Sequence, residues 1–196
     1  MEDSELAEKA RRGDIAAYEE LVRQYQDIAF RTAYLVTGDP HDAEETAQDA
    51  FIKAFYTLER FRKGASFRPW LLRIVTNEAR NRRRAAGRRA RLALQVAGER
   101  PSSDAAPSPE VAALAYETQH ELLAGLAQLD EKDRLVIAYR YFFDMSEAEM
   151  AVALECRPGT VKSRLSRALA RLRDGLTAEV RPATTTVEPQ SGERRG

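Results

Sequence analysis

A stretch near the carboxyl end of the chain carries cationic and hydroxyl side chains at intervals that suit hydrogen bonding to a polyanion. Its members are Thr160, Lys162, Ser163, Ser166, Arg167 and Arg171. Arginine and lysine can donate to guanine edges, and serine and threonine can serve bases or phosphates. An apolar set recurs between them at helical spacing: Val161, Leu165, Ala168, Leu169 and Leu172. The stretch therefore predicts a helix with one buried stripe and one basic face.

The residues before that helix predict a shorter helix and a sharp turn. Ser146 and Glu149 have the spacing of a capping box, which opens a helix, and Pro158 suits the first turn of the next one. The inner face of the short helix would consist of Met150, Ala151 and Leu154. A short helix, a turn around 155–157 and a basic helix together form a helix-turn-helix, which fits the major groove of DNA. The alternative is an ordinary helical hairpin whose basic side is only solvated.

Charge is sorted into blocks along the chain, although the formal net charge is zero. An acidic block without lysine or arginine consists of Asp39, Asp42, Glu44, Glu45 and Asp49. A basic block then extends over 60–91, interrupted only by Glu78. A basic surface can neutralise phosphates and release counterions, whereas an acidic surface suits a different partner. The alternative is two solvated helix faces.

The elements that would position these blocks are all helical. Asp14 can cap a helix over 15–37, which Gly38 and then Pro40 end. Asp42 is expected to open the next helix together with Glu45, three residues on. The apolar residues of that helix include Phe51 and Phe55, which we expect in the core.

A loop over 63–66 separates this helix from the next one, in which Pro69 belongs to the first turn. Trp70 has the spacing of a core residue in that helix, and Phe67 stays undecided. Helical patterning returns over 111–129, and Asp130 can cap a further helix. No segment of any length alternates with the period of a strand.

Composition divides the chain into two small all-helical domains, residues 1–90 and 112–176. The segment between them, 91–111, contains three prolines among small polar residues and is expected to be a flexible linker. Residues 177–196 are rich in threonine, proline and glycine and are expected to form a disordered tail. The predicted fold is all-α, an open pair of domains on a tether.

The sequence argues against an enzyme, a metalloprotein and a membrane protein. Cys156 is the only cysteine, which excludes an intrachain disulfide and a four-cysteine zinc site and favours a reducing cytoplasm. His41 and His120 are the only histidines, and no phosphate-binding loop, zinc-protease or serine-hydrolase motif occurs. No apolar run approaches the ~18 residues that span a bilayer, and the acidic start does not resemble a signal peptide. We expect no catalytic residue, metal or cofactor.

The segment from Gly159 to Ala168, with Gly159-Thr160-Val161-Lys162-Ser163-Arg164-Leu165 followed by Arg167-Ala168, resembles the promoter-reading helix-turn-helix of sigma-70-type factors, their region 4. The resemblance implies a helix-turn-helix of the winged-helix-like kind. It also implies that the minus-thirty-five element is contacted by Arg157, Thr160, Lys162, Ser163, Ser166 and Arg167, and that Arg171 contacts phosphate. Cys156 lies in the turn, where a buried small side chain is favoured over a redox sensor.

Two further stretches resemble region 2 of the same family. Asp42-Ala43-Glu44-Glu45 with Gln48-Asp49-Ala50-Phe51-Ile52-Lys53-Ala54-Phe55 resembles the helix that binds core RNA polymerase. The partner implied is the clamp helices of the largest polymerase subunit, and the implied contacts are Asp42, Glu45, Gln48, Asp49 and Lys53.

The second stretch, Phe67-Arg68-Pro69-Trp70-Leu71-Leu72-Arg73-Ile74-Val75-Thr76-Asn77, resembles the helix that takes up the unpaired strand of the minus-ten element. The resemblance implies that Asn77 and the loop from Gly64 to Arg68, with Ser66, receive an extruded base. Such a base costs a few kcal/mol of unstacking, which a pocket and a basic groove recover. The implied backbone contacts are Arg73, Arg80, Asn81 and Arg84.

The resemblance covers residues 5–90 and 112–175 and lacks the extra domain of larger members, which implies the compact extracytoplasmic-function class. It implies a cytoplasmic initiation factor that binds core RNA polymerase and promoter DNA, and an anti-sigma inhibitor that sequesters the open chain. One departure is that Leu129-Asp130-Glu131 lacks the proline frequent in the family, which puts the helix start in doubt. The alternative function is a stand-alone helix-turn-helix regulator, which would bind duplex DNA without core polymerase.

Overall fold

The computed structural model describes residues 3–97, 126 and 128–179, and those residues contain helices and turns but no strand. We call residues 3–97 the amino-terminal unit and the described residues from 126 to 179 the carboxyl-terminal unit. The helices are α1 Asp3–Arg11, α2 Ile15–Thr37, α3 Pro40–Thr57, α4 Phe67–Ala97, α5 Glu131–Ile137, α6 Glu147–Ala153 and α7 Pro158–Glu179. A 3-10 turn, Leu58–Arg60, follows α3, and a π-helical turn, Ala138–Phe142, follows α5.

The ends of α2 follow from local chemistry as predicted. The Asp14 carboxylate accepts a hydrogen bond from the backbone N–H of Ala17 at 3.0 Å. Gly38 has a φ of 75° and donates its N–H to the Tyr34 carbonyl, 2.9 Å away, which closes the helix in a left-handed residue.

The predicted start of α3 is wrong by three residues. Asp39, not Asp42, caps the helix, and its carboxylate accepts from the backbone N–H of Asp42 at 2.8 Å. Pro40 begins α3 and does not merely end α2. A proline is tolerated there because the first N–H groups of a helix have no partner within the helix.

Helices α1 to α4 enclose the first hydrophobic cluster. Phe51 is buried as predicted, and Phe67, which the sequence left undecided, is fully buried. Trp70 is half-buried and packs against this cluster, with its ring 5.1 Å from that of Phe61. Phe55 is 44% exposed, so its expected place in the core is wrong. Its ring lies 5.0 Å from that of Tyr18 and 5.9 Å from that of Tyr56.

The carboxyl-terminal unit contains the predicted helix-turn-helix. Asp130 caps α5 by accepting from the backbone N–H of Asp133 at 2.8 Å, which removes the doubt about this helix start. Both halves of the capping box between Ser146 and Glu149 are formed at the start of α6. Glu155, with a φ of 51°, makes the turn, and α7 begins at Pro158.

The buried stripe of α7 is narrower than its sequence pattern indicates. Val161 and Ala168 are fully buried and Leu172 is buried, whereas Leu165 is half-buried. Leu169 is 36% exposed, so its expected place in the stripe is wrong. The helices α5 and α6 that cover α7 are each seven residues long and do not reach around to this side.

The second hydrophobic cluster joins the two units. Val36 of α2 and Leu72 and Ala79 of α4 are buried in it with residues of the carboxyl-terminal unit, among them Val136 and Tyr139. The predicted open arrangement is therefore wrong for the described residues, because α4 is covered from two sides. The reason is a second stripe of small and apolar residues on α4, which a single-faced helix would not need.

Helix α4 continues to Ala97, seven residues into the segment predicted as a linker. The remaining predicted linker (98–111), most of the predicted helical run over 111–129 with His120, and the predicted tail from 180 onward lie outside the described residues. Over the ranges that are described, no helix is long and apolar enough to cross a membrane.

Candidate nucleic-acid and polymerase interfaces

The exposed face of α7 brings most of the predicted upstream-element contacts together. Exposed side chains on α7 or in the turn before it are Arg157, Lys162, Ser163, Ser166 and Arg167, and Thr160 beside them is half-buried. The Arg167 guanidinium donates to the Ser163 carbonyl at 3.2 Å. The burial of Val161 and Ala168 on the opposite side fixes the rotation of α7, so this basic, hydroxyl-rich face points to solvent.

Arg171, the predicted phosphate contact, has a partner within the unit. Its guanidinium forms an ion pair with the Asp133 carboxylate, and the Asp130 carboxylate lies 3.9 Å away. Asp133 is only 3% exposed, so its charge needs a counter-charge. Arg171 thus ties α7 to α5. The sequence missed this pair, because Asp133 and Arg171 are 38 positions apart and only the fold brings them together.

The predicted polymerase-docking carboxylates on α3 share one arginine of α4. The Arg82 guanidinium pairs with Glu45, lies 2.7 Å from the Asp49 carboxylate, and is 3.7 Å from that of Asp42. Burial alone would lower the pKa of Arg82, but the hydrogen bonds from Asp49 and Glu45 outweigh it and raise the pKa. Arg82 therefore gathers the three carboxylates on one side of α3.

The other two predicted docking residues lie beside this acidic group. Gln48 is exposed, and Lys53 is exposed and pairs with Glu78 of α4. His41 is also exposed, with its Nε2 atom 3.9 Å from the Glu45 carboxylate, which agrees with a solvated histidine. The five predicted docking residues thus share the outer side of α3.

Several predicted minus-ten residues of α4 contact glutamates of the carboxyl-terminal unit. Arg68 donates to Glu149 at 2.9 Å and to the Phe143 carbonyl at 3.1 Å. Arg80 donates to Glu131 at 2.7 Å.

Asn77 and Arg73 share a third glutamate of that unit. Asn77 donates to Glu155 at 3.2 Å, and Arg73 lies 4.0 Å from the same carboxylate. The sequence implied contacts with the minus-ten strand for these side chains and missed the glutamates. Their only sequence signal is the acidic character of the segment that precedes α7.

A buried hydrogen bond lies in the middle of these contacts. The hydroxyl groups of Thr76 and Tyr139 are 3.0 Å apart, and both residues are buried. Burial raises the pKa of Tyr139 to about 12, against the smaller opposing effects of Thr76, Thr32 and Arg80. The phenol is therefore neutral, as a buried hydroxyl between two units should be.

Glu149 combines two contacts, one within its own unit and one to α4. Burial alone would raise its pKa, but the Ser146 backbone N–H, the Arg68 guanidinium and the Ser146 hydroxyl favour the charged form and lower the pKa. The charge on Glu149 thus stabilises both the start of α6 and the contact with Arg68.

The remaining residues predicted to contact the minus-ten strand make none of the described contacts with the carboxyl-terminal unit. Gly64 has a φ of 75° in the loop before α4, and Ser66 is exposed. Asn81 is exposed and accepts from Arg84 at 2.9 Å, while Arg84 also donates to the Arg80 carbonyl at 3.2 Å. These four residues are therefore exposed to a ligand.

The described residues contain no group of three or more histidine, cysteine, aspartate or glutamate side chains placed to hold a metal ion. Cys156, in the turn before α7, is half-buried.

Comparison with known protein families matches both units. The family model described as "Sigma-70 region 2" matches residues 21–89, and the one described as "Sigma-70, region 4" matches residues 119–172. The first match covers α3 and most of α4, and the second covers the helix-turn-helix.

Curated relatives match the chain over nearly its whole length. The chain is 34% identical to the RNA polymerase sigma-H factor of Pseudomonas aeruginosa, over 93% of this chain and 97% of that protein. It is 32% identical to the ECF RNA polymerase sigma factor SigW of Bacillus subtilis, over 86% of this chain and 93% of that protein. It is also 32% identical to the ECF RNA polymerase sigma-E factor of Escherichia coli, over 93% and 96%.

Solved structures share the fold. CnrH, in complex with the cytosolic domain of CnrY, has a TM-score of 0.64 and 28% identity, over 90% of this chain and 98% of that one. The sigma factor RpoE of Bartonella quintana, in complex with the anti-sigma factor NepR, has a TM-score of 0.65 and 24% identity, over 83% and 98%.

Proposed function

The chain belongs to the sigma-70 family of RNA polymerase sigma factors, in its extracytoplasmic-function class, and we propose that its described surfaces divide promoter recognition among them. The face of α7 contacts the minus-thirty-five element, while α4 and the loop from Gly64 to Arg68 take up the minus-ten strand. The carboxylates of α3 dock onto the clamp helices of core RNA polymerase. The domains that carry these activities are residues 1–90 and 112–176.

One observation carries the upstream assignment: α7 buries one stripe and leaves a basic, hydroxyl-rich face in solvent directly after a tight turn. A helix presented in this way enters the major groove with its first turns against the base edges. Arg167 lies in the middle of that face, and its one described hydrogen bond is to a carbonyl of its own helix. It can therefore turn to a base or a phosphate without breaking an ion pair among the described contacts.

Run-off transcription with purified core RNA polymerase tests this assignment. Arg167→Ala should lower transcription from a promoter with an upstream element about tenfold, since one good arginine–base contact is worth roughly 1–3 kcal/mol. Core binding should be unchanged. Lys132→Ala removes one exposed positive charge from α5 and serves as the matched control. If Arg167→Ala lowers core affinity as much as transcription, the residue belongs to a different surface.

The docking role of α3 is supported by three carboxylates that Arg82 holds on one side of the helix. Charge reversal at Asp49, which is exposed, should lower the affinity for core polymerase in a competition assay. The same reversal at the exposed Asp27 of α2 is the control for net charge. Equal competition by Asp49→Lys and the wild type would remove α3 from the interface.

Two further parts of the proposal concern partners and place of action. We propose an anti-sigma protein as a regulatory partner, supported by the solved structure of CnrH, which contains a second protein chain. We also propose that the chain acts in the cytoplasm, where core polymerase and promoter DNA are found, and that it catalyses no reaction of its own. A stand-alone repressor with the same helix-turn-helix would leave the docking surface of α3 without a role.

A further inference from the structure

We propose that the carboxyl end of α4 binds duplex DNA directly upstream of the minus-ten strand. In this site Arg88 contacts a phosphate, and Gly87 lets the DNA backbone come close to the helix. Neither residue is among the predicted contacts with DNA. The inference rests on the proposed function for the assignment of α4 to the minus-ten strand, and it adds a site for the duplex between the two promoter elements.

The carboxyl end of α4 extends past the elements that cover the rest of this helix. Arg83 is the last residue of α4 with a described hydrogen bond or ion pair to another element, through the Val36 carbonyl and the Glu131 carboxylate. Residues 84–89 continue the helix, and none of them is buried. Packing against the described elements therefore does not account for the length of α4, which ends at Ala97.

Arg88 lies on the helix face that is assigned to the minus-ten strand. The members of that face follow one another three or four positions apart: Asn77, Asn81, Arg84 and Arg88. At ~100° per residue they lie within about 60° of one another around the helix axis. The Arg88 side chain is exposed and makes no described ion pair. The face assigned to DNA therefore continues with a cation that is available to a phosphate.

Gly87 has no reason within the described structure to lack a side chain. A Cβ atom placed on it would meet nothing within 4 Å. A glycine inside a helix lowers its stability relative to alanine, and its use is to allow a close approach to a ligand. Gly87 lies between Arg84 and Arg88 along the helix axis, at the edge of their face. Its missing side chain leaves room beside the two cations for a sugar-phosphate backbone.

The order of the chain indicates which DNA this end of α4 meets. Helix α4 begins beside the loop assigned to the extruded base, and the chain beyond Ala97 leads to the unit assigned to the minus-thirty-five element. The names of the elements place them about 25 base pairs apart, or roughly 85 Å at ~3.4 Å per base pair. From Arg84 to Ala97 the helix rises by about 20 Å at ~1.5 Å per residue, which covers about six of those base pairs.

The ligand of this site is the backbone of a duplex and not a base. In the proposed function only the minus-ten strand is taken up unpaired, so the DNA between the elements stays paired. Ala85, Ala86 and Gly87 have no side-chain group that could read a base edge. An arginine without an ion pair can neutralise a phosphate and release counterions. The contact should therefore be independent of DNA sequence and sensitive to salt.

Binding of two DNA probes by the holoenzyme, that is core RNA polymerase with this chain, tests the site. Both probes contain the single-stranded minus-ten segment of a promoter that is active in the run-off assay, with a fluorescein label. The long probe adds about ten base pairs of upstream duplex, or roughly 34 Å, and stops short of the minus-thirty-five element. The short probe has no duplex. Fluorescence anisotropy measures the affinity for each.

Two variants should lose affinity for the long probe only. Arg88→Ala should bind it about tenfold more weakly than the wild type does, because one hydrogen bond between charged groups is lost. The slope of log affinity against log salt concentration should become shallower by about 0.9. Gly87→Leu should also bind the long probe more weakly, because its side chain blocks the DNA backbone. Leucine favours a helix, so circular dichroism should show no loss of helix in this variant.

Arg89→Ala is the matched control, because Arg89 is exposed and carries the same charge but lies about 100° around the helix from Arg88. It should bind both probes as the wild type does. Equal weakening by Arg88→Ala and Arg89→Ala would reduce the effect to net charge and overturn the proposal. Weaker binding of both probes by Arg88→Ala would place that residue on the minus-ten strand and overturn it too. If the wild-type holoenzyme fails to bind the short probe, the proposed function of α4 is wrong instead.

Discussion

The ion pair between Arg171 and the buried carboxylate of Asp133 makes a quantitative prediction for the substitution Arg171→Ala. Asp133 is 3% exposed, and its carboxylate would remain in the interior without its cation. Removing one partner of a fully buried pair costs about 3–5 kcal/mol. The Arg171 side chain is 55% exposed, so water can partly replace it, and we expect a loss of about 2 kcal/mol in the free energy of unfolding.

Urea denaturation followed by circular dichroism measures this loss. With a denaturant dependence of about 2 kcal/mol per molar, the midpoint should fall by about 1 M. Arg167→Ala is the matched control on the same helix, since Arg167 is exposed, and its midpoint should change by less than about 0.3 M. The double variant Asp133→Asn, Arg171→Ala should recover part of the stability, because it removes the unpaired charge.

The result that refutes this reasoning is a midpoint for Arg171→Ala equal to that of Arg167→Ala. If such a variant were stable and still defective in promoter binding, Arg171 would contact phosphate as the family resemblance implies, and its pair with Asp133 would add nothing. A loss of stability that the double variant does not relieve would equally show that the charge of Asp133 is not the cause.

Three further predictions concern stability. Tyr139→Phe removes the buried hydrogen bond between the units and should lower the free energy of unfolding by about 1 kcal/mol in urea denaturation. Because burial raises the pKa of Tyr139 to about 12, the wild type should lose stability as the pH rises from about 10, the value in the unfolded chain, through about 12, and Tyr139→Phe should lose less. The pKa of Glu149 is lowered, so its effect on stability runs the other way with pH. The stabilisation by its charged carboxylate is present above about pH 4.5 and is lost as the pH falls through the lower folded pKa. Glu149→Gln should therefore flatten the acidic part of a curve of stability against pH. Gly38→Ala forces a side chain into a backbone with a φ of 75° and should cost about 1 kcal/mol, seen as a lower midpoint in urea; an unchanged midpoint would mean that the end of α2 relaxes without strain.

The helix ends and the helix-turn-helix could be predicted because their causes are local. Asp14 and Gly38, like Ser146 and Glu149, bond to atoms within four positions of themselves. The resemblance to the sigma-70 family also predicted the correct fold class, because the motifs of regions 2 and 4 are identifiable even though the chain is only about a third identical to its relatives. The start of α3 was misplaced because Asp39 and Asp42 are both acceptable caps, and the choice depends on whether Pro40 enters the helix.

The placement of the two units could not be predicted, because its causes are distant in sequence. Leu72 and Ala79 lie between arginines, and nothing near them in the chain indicates that residues of the carboxyl-terminal unit will cover them. In the sequence, Arg82 and Arg171 look like any other positive charges of their basic segments, although in the structure each pairs with carboxylates of another helix. Charge pattern predicts which surface is basic, and only the fold shows which of those charges are already paired.

The short exposed face of α7 limits how much sequence this protein can read directly. From Thr160 to Arg167 the helix rises by seven residues, or about 10 Å at ~1.5 Å per residue. That length matches roughly three base-pair steps of ~3.4 Å. Any preference that extends over a longer upstream element must therefore come from the bendability and groove width of the flanking DNA, which are felt through phosphates. Promoters of this factor should share a brief invariant motif within a longer stretch of similar stiffness.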